Sequence, residues 1–180
     1  MPAWSVPGIH SVGIPFILYA YLPEDYVEDG LTRISLYQRI ARITTQADVQ
    51  NIESELEDRF GPVPTPAKML LLVTELGLLA GRLRIQGLAL RKGVIVATFA
   101  ETPSPDPRVL GEISSLCTCS MRYLGMSPLQ AVFEVGRGTP VEMAKKTLEV
   151  FRAFANIQVQ AATIRSADPL LKALGVGEPN

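Results

Sequence analysis

Across residues 45–64 the apolar positions Val49, Ile52, Leu56 and Phe60 recur every three or four residues. At 100° per residue they fall on one stripe of a helix, with Asn51, Glu55 and Asp58 on the far side. The ends carry matching signals. Thr45 with Asp48 three residues on predicts a cap, Gly61 a left-handed stop, and Pro62 and Pro64 forbid continuation. Upstream, Leu31, Ile34, Ile40 and Ala41 predict a helix over 31–43 with Arg33, Arg39 and Arg42 outside. Downstream, Thr65-Pro66 predicts a third helix, capped by Thr65 and running to about residue 85. Leu70, Leu71, Val73, Leu76, Leu78, Leu79 and Leu83 spread around most of its circumference, the pattern of a buried central helix. Gly77 and Gly81, one turn apart in it, predict close packing of another backbone.

The period then shortens. Residues 87–99 predict two strands about a turn at Arg91-Lys92-Gly93, and 120–124 with 130–135 a second hairpin about Ser127-Pro128. A helix is expected over 108–116 between them. Thr139-Pro140-Val141-Glu142 is a capping box that opens a helix to about residue 155, with Val141, Ala144, Leu148, Phe151 and Ala155 on one side. A strand over 157–164 and a short helix near 169–174 would follow. The expectation is an α+β fold: N-terminal helices, then two β-hairpins forming a small, mostly antiparallel sheet, with interleaved and C-terminal helices. Residues 1–19 are taken as an irregular extension, 20–155 as the domain, and 156–180 as a C-terminal extension.

Composition narrows the function. An apolar fraction of 47% fills a core, and a net charge of −1 gives no general attraction to nucleic acid or membrane. Residues 14–22 and 69–80 are too short to span a bilayer, and Glu75 interrupts the second. Two cysteines and no basic leader fit a reducing cytoplasm. Nucleotide-binding glycine loops are absent from the sequence. Gly136-Arg137-Gly138 predicts a strand-to-helix turn, with anion binding at the helix start as the alternative. The single His10 makes no catalytic triad, and Cys117-x-Cys119 lacks zinc spacing, so no metal or cofactor is expected. Glu55 and Asp58 remain. They are read as a solvated face, as a docking face for a basic partner, or as an acid–base or magnesium pair.

Three segments carry a family likeness: Ala-Tyr-Leu-Pro-Glu-Asp-Tyr-Val at 20–27, Thr-Arg-Ile-Ser-Leu-Tyr-Gln-Arg-Ile-Ala at 32–41, and Glu-Leu-Glu-Asp-Arg-Phe-Gly-Pro-Val-Pro at 55–64. Gly93-Val-Ile-Val follows in the first hairpin. In this order they resemble the C-terminal domain of the bacterial transcription-repair coupling factors, the Mfd family, over roughly residues 20–154. The resemblance implies a non-catalytic regulatory domain. It would pack on the UvrA-binding module of its parent protein and restrain both UvrA recruitment and the ATP-dependent DNA translocase. UvrA, RNA polymerase and DNA would be met only through the parent. The matching docking positions are Glu55, Asp58 and Arg59. No helicase motif accompanies them, so the chain alone is not expected to be an enzyme. Two alternatives stay open: a small metal-dependent hydrolase using Glu55 and Asp58, and a nucleic-acid-binding module using Arg82, Arg84, Arg91 and Lys92.

Overall fold

A computed structural model of the chain describes residues 19–91, 93–100, 121–126 and 129–167, with side chains over 19–89, 93–100 and 130–156. His10, Cys117, Cys119, Lys92, the helix expected at 108–116, the Ser127-Pro128 turn and everything beyond residue 167 lie outside them. The described elements are α1 (Gly30–Ile40), α2 (Gln46–Phe60), α3 (Thr65–Arg82), β1 (Ile85–Arg91), β2 (Val94–Phe99), β3 (Met121–Met126), β4 (Leu129–Glu134) and α4 (Pro140–Ala167). This is the α+β fold the pattern predicts.

The helix at the centre is α3. Its apolar residues cannot all face one neighbour, and it packs against α2, α4 and β1. Met69, Leu70, Val73, Leu76 and Ala80 are buried outright. Two polar side chains are buried with them. The Thr74 hydroxyl donates to the Leu70 carbonyl, one turn back, at 2.8 Å. Glu75 accepts from Arg152 of α4, through Nε at 2.9 Å and Nη2 at 2.6 Å. A carboxylate in the core is tolerable only when paired in this way. The start of α3 differs from expectation: Pro64 is the cap residue and makes no side-chain cap bond, so Thr65 begins the helix. The helix also ends at Arg82, because Arg84 turns into the left-handed region at φ 56° and begins the path to β1. Gly77 is buried, whereas a Cβ added at Gly81 would meet nothing within 4 Å, so among the described residues no other backbone packs closely on Gly81.

The strands form one antiparallel sheet in the order β1-β2-β4-β3. The two hairpins are joined by β2 and β4, with Ile95 opposite Phe133 and Ala97 opposite Ala131. These four residues and Phe99 are buried, and α4 covers them. Phe99 stacks on Phe154 with centroids 5.5 Å apart, and Phe133 meets Phe151 edge-on at 6.3 Å. Gly93 lies tightly against the β4 exit. Its carbonyl accepts from the Val135 and Gly136 amides at 3.0 Å each. At φ 80° a Cβ there would sit 2.6 Å from the Gly136 oxygen.

Two further expectations are corrected. The strand over 157–164 is instead part of α4, which runs on to Ala167. The alternation Ile157, Val159, Ala161 suggests a strand, but the chain has no Gly or Pro between Pro140 and Pro169 to stop the helix. In α1 the inward face is also different. Leu36 and Ile40 are buried, whereas Leu31 is 78% exposed and Ile34 55%. Arg33 lies on the inner stripe instead, donating to the Val27 carbonyl at 2.7 Å and to Glu24 at 3.2 Å. An arginine whose guanidinium finds a carbonyl can line an inner face that periodicity assigns to leucine.

Replacing Arg152 with Ala strands the Glu75 carboxylate and is expected to cost about 2 kcal/mol in chemical denaturation, more than the joint replacement Glu75→Leu/Arg152→Met. Gly93→Ala is expected to cost upward of about 1 kcal/mol by the same measurement, since both its φ and its contact with Gly136 oppose a side chain.

Candidate functional site

The three docking positions expected from sequence sit in the last turns of α2, and the buried stripe of that helix aims them outward. Val49, Ile52 and Leu56 are buried and Phe60 is half-buried, so the opposite face is turned to solvent. Both ends are pinned. The Thr45 hydroxyl accepts from the Asp48 amide at 3.2 Å, and the Asp48 carboxylate accepts from the Thr45 amide at 2.9 Å, completing the capping box. The Thr45 side chain, and then the Thr44 and Thr45 amides, hold the Asp48 carboxyl below its ordinary range. At the other end Gly61 adopts φ 83°. The Tyr26 hydroxyl lies 2.9 Å from the carbonyls of both Leu56 and Gly61, sharing its proton between them. The Tyr26 ring stands edge-on to Phe60 at 5.8 Å. Burial, and then the charge of Glu57, push the Tyr26 phenol up, so it stays a donor.

Glu55 is the centre of a triad that periodicity does not reveal. Arg39 of α1 grips it with both nitrogens, Nη1 to Oε1 at 2.7 Å and Nη2 to Oε2 at 2.5 Å. Arg59, one turn along α2, adds Nη1 to Oε1 at 2.7 Å. The Glu55 side chain is 25% exposed. Hydrogen bonds from Arg39 and then Arg59 carry its carboxyl down to about 2, against an ordinary 4.5, and Arg39 is raised in return. Arg59 also lies over the Phe60 ring, with Cζ 4.9 Å from the centroid. Asp58 is exposed, and among the described residues its side chain makes no hydrogen bond or ion pair. Beside the triad, Arg39, Arg42, Ile43, Thr44, Asp48, Asn51 and Ile52 line an open groove of about 460 Å³ between α1 and α2. The signal for the triad that sequence reasoning missed was the joint itself. Between α1 and α2 only five residues intervene, so the outer faces of the two helices must lie close.

Glu55, Asp58 and Arg59 do share one face, but they are not equivalent. The Glu55 charge is already answered within the chain, while that of Asp58 is not. The Glu55 oxygens are engaged by two guanidiniums, and the described residues include no group of three or more His, Cys, Asp or Glu placed to hold a metal. The hydrolase reading therefore finds no support among them. Of the cations considered for nucleic acid, Arg82, the last residue of α3, and Arg84, two residues beyond it, are exposed. The Arg91 side chain and all of Lys92 lie outside the described residues. At the start of α4, the Thr139 amide donates to Glu142 Oε2 at 2.8 Å, so the chain's own carboxylate occupies the place considered for an anion. Among the described residues no helix is long and apolar enough to cross a membrane.

The fold and face together define a small α+β domain with a charged outer helix face. Comparison with known proteins gives its family. The model of the TRCF domain matches residues 17–110, more than half of the chain, and the chain belongs to that family. The transcription-repair-coupling factor of Escherichia coli K12 is 40% identical over 86 residues, 48% of this chain and 8% of that protein. That of Bacillus subtilis is 30% identical over 89 residues, 49% of this chain and 8% of that protein. The chain thus spans under a tenth of the length of these relatives. A crystal structure of the C-terminal domain of a transcription-repair coupling factor superposes with a TM-score of 0.73 at 19% identity, covering 83% of this chain and 93% of that one, which shows the shared fold.

The triad makes a pH prediction with a definite sign. A carboxyl depressed in the folded state adds stability above its unfolded pKa, near 4.5, and loses it as pH falls toward about 2. Glu55→Gln is expected to cost about 1 kcal/mol at pH 7, a magnitude limited by exposure to solvent. The gap from wild type should close on acidification through that window, as measured by urea denaturation at a series of pH values.

Proposed function

We propose that this chain is the regulatory docking domain of a transcription-repair coupling factor. In this reading it packs its α2 face on the UvrA-binding module of the parent protein. That contact covers the surface that recruits UvrA and restrains the ATP-dependent DNA translocase, while the domain itself catalyses nothing. Contact with UvrA, RNA polymerase and DNA then runs through the parent. Membership of the TRCF domain family supports the reading, but one local observation carries it: Glu55, Asp58 and Arg59 are outward on a helix whose inner stripe and both ends are fixed without them. Of the three, Asp58 is exposed on this rigid element with its charge unanswered among the described residues, and so is available for a partner. Such a contact is oriented electrostatically and weakens with salt.

The test is the replacement of Asp58 and Arg59 by Ala within a full-length coupling factor that carries this domain. The expected outcome is a several-fold rise in both ATPase rate and UvrA binding, with thermal stability changed little. A folded variant with both activities at the wild-type level would refute the docking role.

A further inference from the structure

Among the described residues, exposed large hydrophobic side chains occur only near the N-terminal entry of the domain: Tyr19 at 54%, Tyr21 at 49%, Leu31 at 78% and Ile34 at 55%. Leu31 and Ile34 lie one turn apart on the outer side of α1. Ile34 and Tyr37 are also one turn apart, so this apolar side borders the Tyr37 flank of the helix. That flank carries the incoming chain. The Leu22 amide donates to the Tyr37 hydroxyl at 2.8 Å, and Arg33 of the same helix donates to Glu24 and to the Val27 carbonyl. The Tyr21 amide donates to the Pro66 carbonyl at 3.3 Å, which seats the entry over the start of α3. Exposure alternates along it, with Ala20 and Leu22 buried and Tyr19 and Tyr21 outward.

The residues that precede this entry suit the uncovered face. Residues 1–18 contain no Asp, Glu, Lys or Arg, and Ile9, Val12, Ile14, Phe16, Ile17 and Leu18 are among them. Length suffices. Five extended residues reach about 16 Å, while Ile34 and Leu31 lie only about 4.5 and about 9 Å from Tyr37 along the α1 axis. Charge favours the same occupant. Glu24, Asp25, Glu28 and Asp29 are exposed in the turn that leads into α1. A second copy laid face to face would bring these carboxylates towards their own counterparts, whereas an uncharged segment brings none.

We propose that residues 9–17 fold back across α1 and cover Leu31 and Ile34 as an intramolecular strap. Tethered at Tyr19, the strap meets the face at an effective concentration on the order of millimolar, which a second copy does not match in dilute solution. It involves neither α2 nor the docking role proposed above. A face covered in this way presents no apolar surface to a partner.

The test uses the full 180-residue chain with Cys117→Ser, Cys119→Ser and a nitroxide on Gln38→Cys, an exposed site one turn beyond Ile34. The NMR amide signals of residues 9–14, which the tether alone does not hold against α1, should lose about half their intensity or more in the paramagnetic state. In Leu31→Ser/Ile34→Ser, whose exposed positions leave the fold intact by circular dichroism, they should recover. The reciprocal Ile14→Ser/Phe16→Ser chain should recover them too, and decides the matter if the first variant does not fold. Signals undiminished with Leu31 and Ile34 in place, or diminished equally in folded variants, overturn the strap. So does broadening carried between copies in an equal mixture of spin-labelled chains and isotope-enriched unlabelled ones, which makes a second copy the cover.

Discussion

Everything in this domain depends on the need to cover α3 on all sides. A helix apolar around most of its circumference has no solvent face, so α2, α4 and β1 must each take a sector. That one demand places the other layers. The same α4 that covers α3 presents Phe151 and Phe154 to the sheet, which completes the core on the far side. Glu75 makes the arrangement specific. Its buried carboxylate is satisfied only where Arg152 can reach it, so α4 cannot slide by a turn along α3 without stranding a charge.

The position of α2 follows from this, and with it the charged outer face. Val49, Ile52 and Leu56 commit one side of α2 to the core, and the geometry of a helix then commits Glu55, Asp58 and Arg59 to the other. The capping box at Thr45 and the Tyr26 bridge to Leu56 and Gly61 leave little freedom at either end. In the proposed docking role, a partner would meet charges whose placement has been settled by folding, which lowers the entropy of ordering them on contact.

Elements whose signals are local were legible in the sequence. The cap, stripe and stop of α2 all lie within twenty residues, and each is found where its chemistry predicts. Both hairpins were legible for the same reason. What was not legible depends on partners distant in sequence. Nothing local to β2 or β4 says that they pair with each other. The strand-like alternation after Ala155 is overruled by a helix already under way. In α1, Leu31 and Ile34 match the helical period as well as Leu36 and Ile40 do. The choice was made by Arg33, which finds the Val27 carbonyl on the inner side. Glu55, Asp58 and Arg59 do lie on the outer face that periodicity predicts, but the pairing of Glu55, which sets it apart from Asp58, depends on Arg39, sixteen residues away.

That distant partner changes what kind of object the face is. If Glu55 were an isolated surface acid, α2 alone would present the surface, and α1 would be free to shift beside it. A bidentate arginine–carboxylate pair is directional, and here it spans the two helices at their outer edges. Motion of α1 relative to α2 must break it or carry Glu55 along, and Arg59 follows Glu55. The groove lined by Arg39, Arg42 and Asn51 therefore keeps a fixed relation to Asp58 and Arg59. In the docking role proposed above, recognition would depend on the angle between two helices as well as on the charges of one, a geometric selectivity that three charged residues on a single helix would lack.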